Sequence, residues 1–185
     1  MPKRDNAIHI SPVRNRASAL GGPGRAFGRA ISNGVSRSPR ETQFVARALA
    51  QKIIKNGIGK RAVVIALAGE LGAGKTTFAQ GFLKSLGVRG RIASPTFIFV
   101  RRYALPRKRQ RECNRAGFRH AYHFDLYRVR RAEDLRRVGF YEALRDPEAV
   151  VIIEWPEHAG KSLKKSHRIR FWHGRQEKER KIGFS

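Results

Sequence analysis

The chain has 185 residues, 41% of them hydrophobic, with 40 Lys and Arg against 14 Asp and Glu and a net charge of +26. That length suits one domain with a proper core, and no apolar run is long enough to span a membrane. The basic N-terminus lacks the apolar stretch of a signal peptide, and the single cysteine, Cys113, excludes an internal disulfide framework and fits a reducing cytosol. Such a charge draws polyanions (RNA, DNA or anionic lipid) without choosing among them, and a proteome-wide bias toward arginine would produce the same number.

Residues 1–37 are rich in Gly, Pro, Ser, Asn and Arg and show no sustained periodicity. They read as a disordered basic arm that cannot bury enough surface to fold alone. An aid to binding an acidic partner, a solvated tail and a start codon set too early all fit it. Order begins at Ser38-Pro39-Arg40-Glu41, a capping box with Pro at the first helical position. Phe44, Val45, Ala48, Leu49 and Ile53 then recur on one helical face, and Asn56-Gly57 ends it.

Residues 62–68 form a short apolar run that reads as a buried strand. It leads into Gly69-Glu70-Leu71-Gly72-Ala73-Gly74-Lys75-Thr76, which matches G-x-x-x-x-G-K-[ST], the phosphate-binding P-loop. The glycines let the backbone turn sharply and come close to a ligand. Backbone N–H groups, with the positive end of the next helix, suit a phosphate chain. Lys75 would reach the β- and γ-phosphates and the Thr76 hydroxyl would hold Mg²⁺. Residues 77–86 have apolar positions at helical spacing and stop at Gly87. Strand, glycine loop and helix in this order are the context the motif requires.

Further on, Ser94-Pro95-Thr96-Phe97 reads as a loop entering a strand. Residues 101–119 hold eight Lys and Arg and one acid, which predicts an exposed loop. Cys113 lies in it, either as a thiol activated by arginines or as an incidental loop residue. Residues 121–127 read as a strand, 132–137 and 140–144 as short helices, and 149–155 as a second buried strand. The segments 169–172 and 181–184, around Gly174, suggest a closing hairpin. Alternating strands and helices predict an α/β fold, a mostly parallel central sheet flanked by helices.

A P-loop needs a second acid to hold Mg²⁺ or position water, placed at the end of an apolar strand. Glu154, after Val150-Val151-Ile152-Ile153, is the better match, and Asp125, after Tyr122-His123-Phe124, is the other. If both strands flank the P-loop strand, both acids sit near the γ-phosphate. Thr96 lies where other nucleoside triphosphatases carry a switch segment that senses the γ-phosphate through Mg²⁺. His123 suits a half-buried structural role or a proton relay, and Trp155 packing on a loop or on the nucleotide. No Cys/His spacing suits zinc, and neither G-x-S-x-G nor a dinucleotide fingerprint is present.

Together, G-E-L-G-A-G-K-T-T-F (69–78), S-P-T-F (94–97), H-F-D-L-Y-R (123–128), G-F-Y-E (139–142) and I-E-W-P-E (153–157) resemble the TsaE (YjeE) family over about residues 38–184. The resemblance implies a small P-loop ATPase of the cytoplasm. It would assist the TsaD–TsaB pair in making threonylcarbamoyladenosine, next to the anticodon of tRNA, without performing the carbamoyl transfer. By position it implies that Gly69 and residues Gly72, Ala73, Gly74, Lys75, Thr76 and Thr77 hold ATP. Thr76 and Glu154 would bind Mg²⁺, Asp125 would be the other essential acid and Thr96 the switch threonine. Thr42 would lie near the adenine, and Arg175 or Arg180 near the nucleotide. The basic arm, the link at 55–61 and the long 101–119 stretch depart from the family pattern and leave room for extra tRNA affinity. Two other readings share the core: a small-molecule or nucleotide kinase with 101–119 as a lid, and a nucleic-acid-binding module whose P-loop is only a switch.

Overall fold

A computed structural model of the chain describes residues 34–106, 117–163 and 165–185. The basic arm through residue 33, residues 107–116 of the basic stretch, and Cys113 among them, lie outside the described residues. A two-residue strand, β1 (Val35–Ser36), precedes helix α1 (Pro39–Asn56), so order starts before the capping box. The Ser38 hydroxyl caps α1 by accepting from the Glu41 N–H at 3.2 Å. The Glu41 carboxylate accepts from the Arg37 N–H at 2.8 Å rather than from Ser38, so the box closes one residue early. Strand β2 (Val63–Gly69) and helix α2 (Lys75–Ser85) follow, with the glycine loop between them. Gly81 lets α2 lie against α1, since a Cβ there would come within 2.6 Å of the Gln43 Cα.

The sheet continues with β3 (Val100–Ala104), β4 (His120–Asp125), β5 (Ala149–Glu154), β6 (His167–His173) and β7 (Arg180–Phe184). Helices α3 (Ala132–Arg137) and α4 (Phe140–Arg145) join β4 to β5, and a 3-10 segment, Pro156–Ser162, follows β5. The order across the sheet is β1-β7-β6-β2-β5-β4-β3. The four central strands are parallel and the outer ones antiparallel, with β6 and β7 forming the predicted hairpin. The fold is P-loop NTPase-like. Strand β5 is aliphatic along its length because both its faces are covered. Val150 and Ile152 join the core under α1 and α2, and Ala149, Val151 and Ile153 join the core with α3 and α4.

Two expectations change. Strands β4 and β5 do not both flank β2: β5 does, β6 takes the other side, and β4 lies one strand further out. Strand order depends on where crossovers return, and local periodicity carries no record of it. Residues 101–104 are not the start of an exposed loop but part of edge strand β3, paired antiparallel with β4. Arginine on an edge strand shields an unpaired ladder from foreign chains, so a charged run can still be sheet. The guanidinium carbon of Arg102 lies 5.7 Å from the Tyr122 ring centre.

Candidate active site at the glycine loop

The register brings the C-terminal ends of three strands into line: Leu67 of β2 pairs with Glu154 of β5, which pairs with Asp125 of β4. The loop leaves β2 at Gly69 (φ 142), where a Cβ would meet the Phe171 carbonyl oxygen at 2.4 Å. It ends at Gly74 (φ 100), which heads α2 in the left-handed region that a side chain disfavours. Ala73 is fully buried and Gly69 sits behind the loop, so these two shape the turn rather than line the cavity.

Lys75, at the start of α2, donates from Nζ to the carbonyls of Gly69 (2.7 Å) and Glu70 (2.8 Å). Its ammonium also stands 3.9 Å from the centre of the Trp155 ring. Burial lowers the Lys75 pKa below the usual lysine value, against the opposing pull of Glu154, Glu157 and Asp125. Trp155 is a non-glycine residue in the left-handed region (φ 59, ψ 53), a conformation that costs about 1–3 kcal/mol. That turn lays its ring over Lys75 and 4.9 Å from Tyr127.

The Thr76 hydroxyl donates to Glu154 Oε2 at 2.9 Å, and Glu154 Oε1 lies 2.8 Å from His123 Nε2. His123 is fully buried, not half-buried, and its Nδ1 has no partner among the described residues. A neutral ring with its proton on Nε2 satisfies both facts: it donates to the carboxylate and leaves only a lone pair unmet. Asp125 is also held at both oxygens. Oδ2 accepts from the Thr96 hydroxyl and from Ser94 (3.2 Å), and Oδ1 accepts from the Tyr127 N–H (3.1 Å).

These groups enclose a cavity of about 230 Å³. Gly72, Gly74, Lys75, Thr76 and Thr77 form one wall; Thr96, Asp125, Tyr127, Glu154 and Trp155 form the other. Of the two C-terminal arginines, Arg180 reaches the loop, donating from Nε to the Gly72 carbonyl at 3.1 Å. Thr42 does not line the cavity; it is buried, with Oγ1 2.7 Å from Ser36 Oγ. Ser94 was not assigned a role of its own from sequence, and His123 was given a proton relay only as an alternative to a structural role. A signal existed for His123: two residues from Asp125 on a strand, it must share that residue's face.

Residues 36–182 match the family model described as Threonylcarbamoyl adenosine biosynthesis protein TsaE. The chain belongs to the TsaE family. It is 37% identical over 98 residues to the tRNA threonylcarbamoyladenosine biosynthesis protein TsaE of Haemophilus influenzae, covering 53% of this chain and 54% of that one. Identity to the TsaE of Rickettsia prowazekii is 34% over 121 residues, 65% of this chain and 71% of that one. The chain thus spans about half the length of the first of these TsaE relatives. The crystal structure of Bacillus subtilis YdiB aligns at 26% identity and a TM-score of 0.54, covering 81% of each chain.

The donors at the cavity fit magnesium. No group of three His, Cys, Asp or Glu suited to a metal exists among the described residues. What this TsaE-family site offers is a hydroxyl and two carboxylates, hard oxygen donors of the kind Mg²⁺ accepts when phosphates supply the rest.

Proposed function

We propose that the chain is a slow, partner-dependent ATPase. It acts with the TsaD–TsaB pair in making threonylcarbamoyladenosine next to the anticodon of tRNA. The observation that carries this reading is the convergence of a P-loop lysine and threonine with two strand-end carboxylates on one cavity. Family membership over residues 36–182 supplies the pathway. A kinase lid receives less support, because residues 101–104 are a paired strand. No helix among the described residues is long and apolar enough to cross a membrane.

Each residue then has a task. Lys75 exchanges the neutral Gly69 and Glu70 carbonyls for anionic phosphate oxygens, so that both partners of the bond are charged. Thr76 and Glu154 hold Mg²⁺, which supplies charge neutralisation on the phosphates. Backbone N–H groups from Gly72 to Thr77 wrap the phosphate chain. Asp125, fixed at both oxygens, orients water or the metal shell, and Thr96 reports on the γ-phosphate through that same carboxylate. Arg180 steadies the loop beside the nucleotide, and Thr42 supports the adenine side.

The test is reconstitution with TsaD, TsaB and tRNA. Modified adenosine should accumulate over repeated cycles only when this chain and ATP with Mg²⁺ are present. Equal yield without the chain would refute the assignment to the pathway. No heat on titration with ATP and Mg²⁺, partners included, would refute nucleotide binding itself.

A further inference from the structure

Strand β6 sends its side chains to two unlike places. Ile169 and Phe171 enter the core under α1 and α2, so Arg168, Arg170 and Trp172 point to the opposite face of the sheet. Lys181 is paired with Trp172 and Gly183 with Arg170, which puts them on that same face. Over β2, β4 and β5 this face is covered by α3, α4 and the 3-10 segment, but the core beneath those elements contains no residue of β6 or β7. Arg168, Arg170, Trp172 and Lys181 are all exposed, and the indole shows 45% of its surface.

The ring is set rather than loose. Its Cζ3 and Cη2 lie 3.0 and 3.1 Å from where a Cβ on Gly183 would be, so the missing side chain lets the indole lie across β7. The Arg170 guanidinium carbon stands 6.0 Å from the ring centre. Arg168, Arg170 and Lys181 take part in none of the ion pairs among the described residues; the Arg168 guanidinium donates only to the neutral Leu163 carbonyl, at 3.3 Å. Arg168 and Arg170, two residues apart, are about 7 Å apart along the strand, far enough to meet different phosphates.

We propose that this open face of β6 and β7 binds single-stranded RNA, one base stacking on Trp172 while Arg168, Arg170 and Lys181 take the flanking phosphates. A flat aromatic ring among unpaired cations on a sheet matches the alternation of base and phosphate in an unpaired strand. A duplex offers no free base to such a ring. The choice of RNA over DNA rests on the tRNA role proposed above. None of these four residues lines the cavity at the glycine loop.

The experiment is fluorescence anisotropy of the full chain with labelled oligo(U), an RNA duplex of equal length and oligo(dT), across a salt series. Trp172→Ala should weaken oligo(U) binding about tenfold, as loss of one stacked base does, and leave duplex binding unchanged. Trp172→Phe, which keeps a ring over Gly183, should retain most of the affinity. Arg170→Ala and Lys181→Ala should each lower the salt slope by about one. Lys75→Ala should leave RNA binding intact, so failure of the nucleotide reading and failure of this one remain separable. Unchanged oligo(U) affinity in Trp172→Ala, equal losses on single strand and duplex, or tighter binding of oligo(dT) than of oligo(U) would each overturn the proposal.

Discussion

His123 Nε2 lies 2.8 Å from Glu154 Oε1, and both side chains are buried. His123 pairs with Ile152 across β4 and β5, which makes Glu154 its diagonal neighbour on the same face. The imidazole thereby occupies one carboxylate oxygen and turns the other toward Thr76. Replacing His123 by Leu should weaken Mg²⁺-dependent nucleotide affinity about ten- to a hundredfold, while binding in EDTA changes little. His123→Gln, which can donate to the same oxygen, should recover part of the loss. Calorimetry with and without metal decides it, and equal losses in both conditions would assign His123 to packing alone.

Lys75→Ala removes the ammonium that the loop carbonyls hold. A hydrogen bond to a charged group contributes about 1.5–3 kcal/mol, so ATP affinity should fall about ten- to a hundredfold or more. Thermal unfolding reports separately the cost of leaving the Gly69 and Glu70 carbonyls without their donor. Unaltered ATP affinity in the same calorimetric titration would remove Lys75 from the phosphate site.

Asp125→Asn keeps an oxygen that can accept from Thr96 or from the Tyr127 N–H. Nucleotide binding should therefore persist while single-turnover hydrolysis in the presence of TsaD and TsaB drops at least about a hundredfold, the scale of a lost positioned proton acceptor. A normal turnover rate would show that the carboxylate is only structural.

Gly81→Ala sets two effects against each other. Alanine gains about 1 kcal/mol of helix propensity over glycine. The new Cβ, however, would lie 2.6 Å from Gln43 Cα and 2.9 Å from the Gln43 carbonyl oxygen, and backbone atoms cannot yield without moving α1. Overpacking costs about 1–3 kcal/mol, so a lower urea midpoint is expected, and Gly81→Val should be worse. A more stable Ala variant would mean that the two helices separate freely.

His167 gives a pH signature. Burial lowers its pKa below the usual 6.5, and Lys52 adds to the shift. The unfolded chain therefore holds more protons than the folded one between the two values, so stability falls as pH drops below about 6.5. His167→Gln should flatten this slope relative to the parent chain in unfolding midpoints measured at successive pH values. Parallel profiles would place the acid sensitivity elsewhere.

The glycine-loop end of the molecule was legible because its information is local. A glycine loop, a Lys-Thr pair and two carboxylates at strand ends are short patterns, and Glu154 and Asp125 meet through register. The helix cap at Ser38 and the hairpin of β6 and β7 were local too. Strand β3 was hidden by its arginines, whose charge speaks for solvent exposure and not against pairing. The partnership of His123 with Glu154 needed two strands side by side. The alternation of Arg168, Arg170 and Trp172 is visible in the sequence, but which face the helices leave bare is decided by packing far along the chain.

The guanidinium of Arg180 fastens the last strand to the Gly72 carbonyl, 108 positions upstream. The glycine loop is thus tied to a strand distant from it in sequence. On the reading proposed above, loss of β7 would also release the carbonyl that Arg180 holds at the glycine loop, so a break ahead of that strand would be felt where the phosphates are expected.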